Sequence, residues 1–285
     1  MKILLTGASG QVGYELLRSL QGLGEVVALD RRQMDLADLD QVRDVIREVR
    51  PHLIVNPAAY TAVDKAESER ALAFRINAEA PAVMAREAHL LGAGMVHYST
   101  DFVFDGTKEG AWLETDPTNP INVYGLSKLA GEQAIAETGI PHLILRTSWV
   151  YGMRGSNFLL TMLRLARERK QLSIVADQIG APTWSRTIAD STALVLAQAQ
   201  VGGPAWWERH SGIYHLSSQG STAWNGFTEE IIARAGLACE VKPISSADYP
   251  TAARRPANSR LDSGKLTGLF CRLPAWQEAL ALCMQ

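Results

Sequence analysis

The stretch from Lys2 to Gly13 constrains the fold of this chain more than any other. A short apolar run, Lys2-Ile-Leu-Leu-Thr6, leads into Gly7-Ala-Ser-Gly10-Gln-Val-Gly13, and a helical pattern follows with Val12, Leu16, Leu17 and Leu20 on one side. A dinucleotide-binding unit requires strand, glycine turn and helix in that order. Glycine lets the backbone turn sharply and approach a pyrophosphate, whose charge then rests on the N–H groups at the helix N-terminus. The spacing is Gly-x-x-Gly-x-x-Gly rather than the commoner Gly-x-Gly-x-x-Gly. A turn with no ligand would also use glycine, but the flanking strand and helix favour binding.

The alternation continues. Glu25 to Leu29 reads as a second strand ending on Asp30, where an acid would meet the adenosine ribose of NAD. Arg31 and Arg32 follow at once, and a guanidinium there suits the 2′-phosphate of NADP, so the segment argues for both cofactors. Asp35 and Leu36 lie where the next loop would flank adenine, or where a turn would open a helix. Leu39, Val42, Ile46 and Val49 form a helical stripe stopped by Pro51. Leu53 to Val55 is a buried strand leading to Asn56-Pro-Ala-Ala59-Tyr60-Thr61, whose small residues let a cofactor lie close. Helices are expected over Asp64 to Asn77 and Ala80 to Leu91, and a strand over Met95 to Tyr98. That strand delivers Ser99-Thr100-Asp101 to its carboxyl end, the edge where ligands bind in open parallel sheets. Thr100 is therefore placed to offer a hydroxyl to a substrate oxygen, although a turn ending a strand would also use these residues.

Phe102 to Asn122, with Gly106, Gly110, Pro117 and Pro120, reads as a long loop over the site. Tyr124-Gly-Leu-Ser-Lys128 then opens a helix with a phenol and an ammonium four residues apart on one face. An ammonium beside a phenol favours the phenolate, lowering a pKa that starts near 10, and such a tyrosine can exchange a proton with a substrate oxygen. On its own the pair could equally be an exposed, inert one. The helix ends near Gly139, and His142 to Thr147 is the next strand.

The pattern up to this point is that of an α/β protein with a doubly wound parallel sheet. After Trp149-Val-Tyr151-Gly152 the character changes. A helix over Asn157 to Arg169, a strand over Leu172 to Val175, the loop Asp177 to Thr183 and a helix from Thr187 to about Ala199 come next. Gly202-Gly-Pro-Ala-Trp206-Trp207 reads as a linker or surface loop with both indoles exposed. Ile213 to Leu216 is placed to rejoin the first sheet, while Trp224 to Ala235, Glu240 to Pro243 and Pro274 to Cys283 make a smaller mixed α/β lobe. The expected division is a dinucleotide-binding domain over 1–150, rejoined by about 187–217, and a substrate-binding lobe from 151–186 and 218–285.

Composition excludes several function classes. With 28 basic and 30 acidic side chains in 285 residues, and no run of like charge, neither nucleic acid nor a membrane surface is an expected partner. Three cysteines without Cys-x-x-Cys spacing point to a reducing compartment, and no stretch approaches the roughly 18 apolar residues of a membrane span, so a soluble cytoplasmic protein is expected. The six histidines show no His-Glu-x-x-His or His-x-His spacing, and there is no Gly-x-Ser-x-Gly turn, so neither a metal site nor a serine hydrolase is indicated.

Taken in register, Thr6-Gly-x-x-Gly-x-x-Gly13, Thr100 at a strand end and Tyr124-x-x-x-Lys128 resemble the extended short-chain dehydrogenase/reductases. Six longer strings narrow the resemblance to members that reduce a 4-keto sugar nucleotide, and it covers nearly the whole chain. The strings are Tyr60-Thr-Ala-Val-Asp-Lys-Ala-Glu-Ser68, His97-Tyr-Ser-Thr-Asp-Phe-Val-Phe104, Asn122-Val-Tyr-Gly125, Arg146-Thr-Ser-Trp-Val-Tyr151, Asp177-Gln-Ile-Gly-Ala-Pro-Thr183 and Ala253-Arg-Arg-Pro-Ala-Asn-Ser-Arg260. The resemblance implies reduction, by NADPH or NADH, of the C4 ketone of dTDP-4-dehydro-β-L-rhamnose to dTDP-β-L-rhamnose, the last step in making that sugar nucleotide for polysaccharide. It implies Thr100, Tyr124 and Lys128 as the catalytic set. Gly7, Gly10, Gln11, Val12, Asp30, Asp35, Leu36, Ala59, Tyr60 and Thr61 would contact cofactor together with Tyr124 and Lys128, and Thr100, Asp101, Trp149 and Asn157 would face the sugar. Some relatives bind Mg²⁺ through glutamates at a dimer interface. Glu15 matches one of these, but Arg186 stands where another acid would be, so no metal and a monomer or weak homodimer are expected.

Two rival readings make different demands on the sequence. A 4,6-dehydratase of the same class would carry a glutamate after the Thr-Asp pair, where this chain has Phe102. An epimerase is the other neighbour within the class. A non-catalytic binding or regulatory subunit would have no need of Tyr124 and Lys128.

Overall fold

Six of the apolar runs pair side by side as one all-parallel sheet in the computed structural model, which describes residues 1–285. The first part of the chain forms β1 (Lys2–Leu5), α1 (Gln11–Ser19), β2 (Glu25–Ala28), α2 (Leu39–Val49), β3 (Leu53–Asn56), α3 (Val63–Ala66), α4 (Arg70–Phe74), α5 (Ala80–Leu91), β4 (Gly94–Thr100), α6 (Val123–Ala136) and β5 (His142–Thr147). There follow β6 (Val150–Tyr151), α7 (Phe158–Glu168), β7 (Gln171–Val175), β8 (Ile179–Gly180), β9 (Thr183–Trp184), α8 (Ser185–His210) and β10 (Gly212–His215). The chain closes with β11 (Thr222–Ala223), α9 (Trp224–Arg234), β12 (Glu240–Ile244), α10 (Gly264–Leu269) and α11 (Trp276–Cys283).

The sheet order is β2-β1-β3-β4-β5-β10. From β1 the chain steps outward to β2 and then crosses back to β3 on the other side. The winding therefore reverses between β1 and β3, and the crevice beyond their carboxyl ends is where such sheets hold ligands. Alternation along each strand sorts the core into two layers. Ile3, Leu5, Val55, Val96 and Leu145 pack with Leu16 of α1, Leu20 just after it, and Ile188, Val195 and Leu196 of α8. Leu4, Ile54, Met95 and Ile144 point the other way, onto Val42 and Ile46 of α2, Val83 and Met84 of α5 and Ile135 of α6. Each such side chain contributes about 1.5–3 kcal/mol by leaving water, so both helix layers are needed to cover the sheet. A one-residue slip of any strand would turn its set into the wrong layer.

A third core, around Tyr151, Leu159, Met162, Phe227, Ile231, Trp276 and Leu280, belongs to the smaller lobe. There β7 and β12 pair in parallel, and α7, α9 and α11 contribute residues to the core beside them. Two short strands, β8 and β9, interrupt the segment expected as a plain loop from Asp177 to Thr183, pairing with β11 and β6.

Three other expectations change. The run from Asp64 to Asn77 is not one helix: α3 and α4 are about a turn each, and a wide π turn over Arg75–Glu79 joins α4 to α5. That turn brings the Asn77 carbonyl against α6, where a Cβ on Gly131 would lie 2.1 Å from the oxygen. Gly202 to Trp207 is helical rather than a linker, because α8 continues to His210 through a kink at Gly203 (φ +60) followed by Pro204. Proline is pre-set for a first helical turn, so the helix resumes there and buries Trp206 5.4 Å from Phe270, with Trp207 half-buried. The loop from Phe102 to Asn122 does not line the crevice. Phe104 stacks on Trp112 at 4.5 Å, and Trp112 donates to the Arg260 and Asn258 carbonyls at 2.8 and 3.1 Å, pinning the loop to the 258–262 segment. No helix is long and apolar enough to cross a membrane.

Candidate active site

Segments leaving the carboxyl ends of β1, β2, β3, β4 and β5 meet in a cleft of about 560 Å³. Gly7, Gly10, Gln11 and Val12 line it from the glycine turn, Asp35 and Leu36 from the loop after β2, Ala59, Tyr60 and Thr61 from the loop after β3, and Tyr124 and Lys128 from α6. Two of the glycines are demanded by geometry. Gly7 has φ +56 and a Cβ on it would lie 2.9 Å from that of Ala58, while a Cβ on Gly13 would lie 2.1 Å from the Gly7 carbonyl oxygen. Gly10 caps α1 with no side chain and the first turn holds no acid, so unpaired N–H groups and the positive end of the helix face the cleft. An anionic pyrophosphate fits that cradle.

At the adenine end the acid and the two arginines divide unequally. Asp30 is not part of the lining. Its carboxylate accepts from the Arg32 guanidinium at 2.7 Å and from the Arg32 backbone N–H at 2.9 Å, and the first of these bonds does most to hold its pKa below the usual range. Arg32 is thereby engaged. Arg31 lines the cleft, is three-quarters exposed, and has only a loose pairing with Asp35 at 3.4 Å.

The middle of the cleft is braced by a residue that sequence reasoning missed. Asn77, fully buried in the π turn, accepts from the Tyr60 N–H at 2.8 Å and donates to the Tyr60 carbonyl and the Ser127 hydroxyl, both at 3.0 Å. It clamps the cofactor loop to α6. The Tyr60 hydroxyl donates to Glu69 at 2.6 Å, a bond that pushes its pKa up to about 12.

The expected contact between ammonium and phenol is absent. Lys128 turns inward, donates to the Tyr98 carbonyl at 2.6 Å and meets the His97 ring nitrogen Nε2 at 3.1 Å. Burial pulls its pKa down to about 8, against the charge of Glu132. Burial likewise pushes the half-buried Tyr124 phenol up to about 12, with the nearby Thr100 hydroxyl opposing and the Asp101 charge adding. The expected lowering of the tyrosine pKa is thus reversed, because desolvation acts on a phenol that no ammonium touches. A phenol in that state is protonated at neutral pH, as a proton donor must be. Behind Lys128, Glu132 and Arg146 form a buried two-point pair at 2.9 and 2.6 Å, which keeps two charges satisfied inside the core.

Thr100 and Asp101 stand at the end of β4, both buried. The Thr100 hydroxyl donates to Asp101 Oδ1 at 3.0 Å, and Asp101 Oδ2 lacks a partner at hydrogen-bond geometry. Burial raises the Asp101 pKa to about 6 against the pull of the Ser259 and Thr100 hydroxyls. Trp149 has φ +46, a backbone region that L residues rarely adopt, and stacks on Trp224 at 3.5 Å and 5°. A Cβ on Gly180 would lie 2.5 Å from its ring, so β8 approaches it closely. Asn157 differs from the expectation that it faces the sugar. It caps α7, and its amide nitrogen is shared among Gln11 Oε1 at 2.9 Å, the Gly152 carbonyl at 2.8 Å and the Arg154 carbonyl at 3.2 Å, which leaves no N–H for a sugar. Arg186 faces Asp190 at 3.9 Å, and no three His, Cys, Asp or Glu side chains come together as a metal-holding group.

A switch-point crevice with a glycine cradle at one end and a Tyr-x-x-x-Lys helix at the other defines a short-chain dehydrogenase/reductase of the extended type. Within that class the chain belongs to the family whose model is described as the RmlD substrate binding domain, matched over residues 1–285. It is 51% identical to a dTDP-4-dehydrorhamnose reductase of Burkholderia thailandensis, over 100% of this chain and 98% of that one. It is 45% identical to the Escherichia coli K12 protein of the same name, over 97% and 95%. A crystal structure of dTDP-4-dehydrorhamnose reductase from Bacillus anthracis in complex with NADP superposes with a TM-score of 0.90, at 38% identity and 99% and 98% coverage. A Thermus thermophilus UDP-glucose 4-epimerase superposes with a TM-score of 0.82 at 22% identity, a likeness of fold alone.

Proposed function

We propose that the protein reduces the C4 ketone of dTDP-4-dehydro-β-L-rhamnose to dTDP-β-L-rhamnose with NADPH or NADH, the reaction named for its relatives. One observation supports this most: a protonated, half-buried Tyr124 phenol, with Thr100 beside it, shares its cleft with the glycine cradle. Bound nicotinamide supplies the hydride. Tyr124 gives its proton to the C4 oxygen as charge develops there, and the Thr100 hydroxyl turns from Asp101 Oδ1 to hold the same oxygen in line. Asp101, with one carboxylate oxygen unpartnered, accepts a sugar hydroxyl, and Trp149 presents an indole preset by its stack on Trp224. Asn157 serves the cofactor end by holding Gln11.

In this reading residues 1–150 with about 187–217 bind the dinucleotide, and 151–186 with 218–285 bind the sugar nucleotide. The protein works in the cytoplasm as a monomer or weak homodimer. The test is turnover with dTDP-4-dehydrorhamnose and either reduced cofactor, followed by loss of nicotinamide absorbance. Sugar-dependent oxidation of NADPH or NADH, with dTDP-rhamnose as product, is expected. A protein that binds cofactor but oxidises neither form in the presence of the sugar would overturn it.

A further inference from the structure

Beneath the catalytic helix lies a row of polar residues that the reaction scheme does not use. Leu5 pairs with Val55 and Asn56 with His97, so Thr6, one residue past β1, stands beside Asn56 of β3 and His97 of β4. Alternation puts them on the layer of Leu4, Ile54 and Met95, the face covered by α5 and α6, and Lys128 reaches down to it. All four are shut off from water, at 1% exposure or less. Thr6 Oγ1 donates to Asn56 Oδ1 at 2.6 Å, Asn56 Nδ2 meets His97 Nδ1 at 3.1 Å, and His97 Nε2 meets Lys128 Nζ at 3.1 Å.

The polarity of this chain is over-determined. A neutral imidazole has one N–H and one lone pair. If Asn56 turns its NH₂ to Nδ1, the ring hydrogen is on Nε2 and points at Lys128, which must then be a neutral amine. If Lys128 is an ammonium, Nε2 must accept, the hydrogen moves to Nδ1, and Asn56 must present its oxygen to the ring and its NH₂ to Thr6. A doubly protonated ring is disfavoured, since burial and then the Lys128 charge hold the His97 pKa well below its ordinary value. Two arrangements remain, and they differ in the charge of the lysine.

We propose that Thr6, Asn56 and His97 are positioning residues that couple the charge of Lys128 to the orientation of the Asn56 amide. The relay runs from the residue ahead of the glycine turn to the lysine beneath the tyrosine. It rests on the proposed reductase activity only in making Lys128 matter to catalysis. When the ammonium loses its proton, that proton goes to solvent. The ring keeps one N–H but changes which nitrogen carries it, the amide reverses, and Thr6 turns from acceptor to donor.

Besides His97 the Lys128 nitrogen has the Tyr98 carbonyl, which accepts in either charge state, and the other titratable groups facing it do not compete. On its own helix are Tyr124 and Glu132, and Glu132 is bound to Arg146 of β5. Asp101 follows β4, bonded to Thr100. On α5, Glu87 is taken by Arg47 at 2.8 and 2.9 Å. On α3, Asp64 is bound to Arg255 at 2.7 Å, and Lys65 is exposed. Glu67 and Glu69 just beyond it, Arg70 on α4, and Arg75 and Glu79 on the π turn are also exposed.

Imidazole ¹⁵N shifts report the tautomer directly. Histidine-labelled protein without cofactor would be titrated from about pH 6 to about pH 10, with the His97→Gln spectrum assigning the signal. The expected result is conversion of the Nδ1–H form to the Nε2–H form with a midpoint near the Lys128 value of about 8. A single tautomer throughout overturns the proposal, whether or not the protein reduces the sugar. Asn56→Asp adds a second reading: a carboxylate there can only accept, so it holds the ring hydrogen on Nδ1 and favours the ammonium. The tautomer midpoint should then rise by about one unit or more. An unmoved midpoint in folded Asn56→Asp also overturns the relay.

Discussion

Replacing Asp101 by Asn should make the protein more stable and less active, and the stability gain should depend on pH in a defined way. The carboxyl is 3% exposed and its pKa is raised from 3.8 to about 6, chiefly by burial. Between those two values the native protein holds a proton that the unfolded chain has released, so stability falls as pH climbs through the window, and the full deficit is present above about 6. Two units at about 1.4 kcal/mol each put that deficit at about 3 kcal/mol, of which relaxation around the new amide should leave about 1–3. Asn keeps an oxygen for the Thr100 hydroxyl and removes the buried charge. Urea denaturation of both proteins at about pH 4 and about pH 7.5 measures the effect. Asn should gain about 1–3 kcal/mol at the higher pH and little at the lower, while kcat/KM for the sugar falls about tenfold or more through loss of the carboxylate acceptor. A variant no more stable than the parent at pH 7.5 would refute the assignment of a desolvated carboxylate to this site.

Four other substitutions probe the rest of the cleft. Tyr124→Phe keeps the ring and removes the proton donor, so turnover should fall about 10²-fold or more with cofactor affinity little changed; near-parental turnover would exclude Tyr124 from the chemistry. Arg31→Ala should lower the NADPH/NADH ratio of specificity constants, whereas Arg32→Ala, by releasing Asp30, should act more weakly; equal and null effects would mean that neither guanidinium chooses the cofactor. Trp149→Phe retains part of the stack on Trp224, so a melting temperature within a few degrees of the parent and a roughly tenfold lower kcat/KM for the sugar are expected. A destabilised but fully active variant would make Trp149 a packing residue.

The sheet was legible because its evidence is local. Lys2 to Gly13, the apolar run at Leu53 and the helical stripe at Leu39 each carry a period or a turn residue that reads without knowledge of the rest. Gly202-Gly-Pro misled for a physical reason: glycine and proline mark a kink as readily as a linker, and only Phe270, far along the chain, shows that Trp206 turns inward. The cleft lining around Gly7, Ala59 and Tyr124 was legible in the same way as the sheet. The role of Asn157 was not, because an N-cap and a sugar ligand use the same amide. His97 and Arg146 left one available signal, a polar residue inside an otherwise apolar run, and Asn77, between Arg75 and Glu79, left none. The signal at His97 and Arg146 says that a partner exists and does not say which, since Lys128 and Glu132 lie 31 and 14 residues away in sequence.

The tyrosine–lysine pair illustrates the same limit in energetic terms. Four-residue spacing places the two on one helical face, but it does not say how far the ammonium reaches or what the sheet beneath offers it. Here β4 offers a carbonyl and a ring nitrogen within 3.1 Å, and the lysine takes both. Desolvation is then the largest influence on the phenol and keeps its proton in place, while burial also draws the lysine toward neutrality and Asp101 toward its acid form. All three groups are pushed toward their uncharged states, each by loss of water. In the proposed reaction a ketone entering such a site would meet few mobile dipoles, so the Tyr124 phenol would act on its oxygen with little screening. For a reductase the useful tyrosine is therefore a protonated one. The lysine is turned from the phenol toward the sheet, and in the proposed relay its charge answers to the row of residues reaching Thr6.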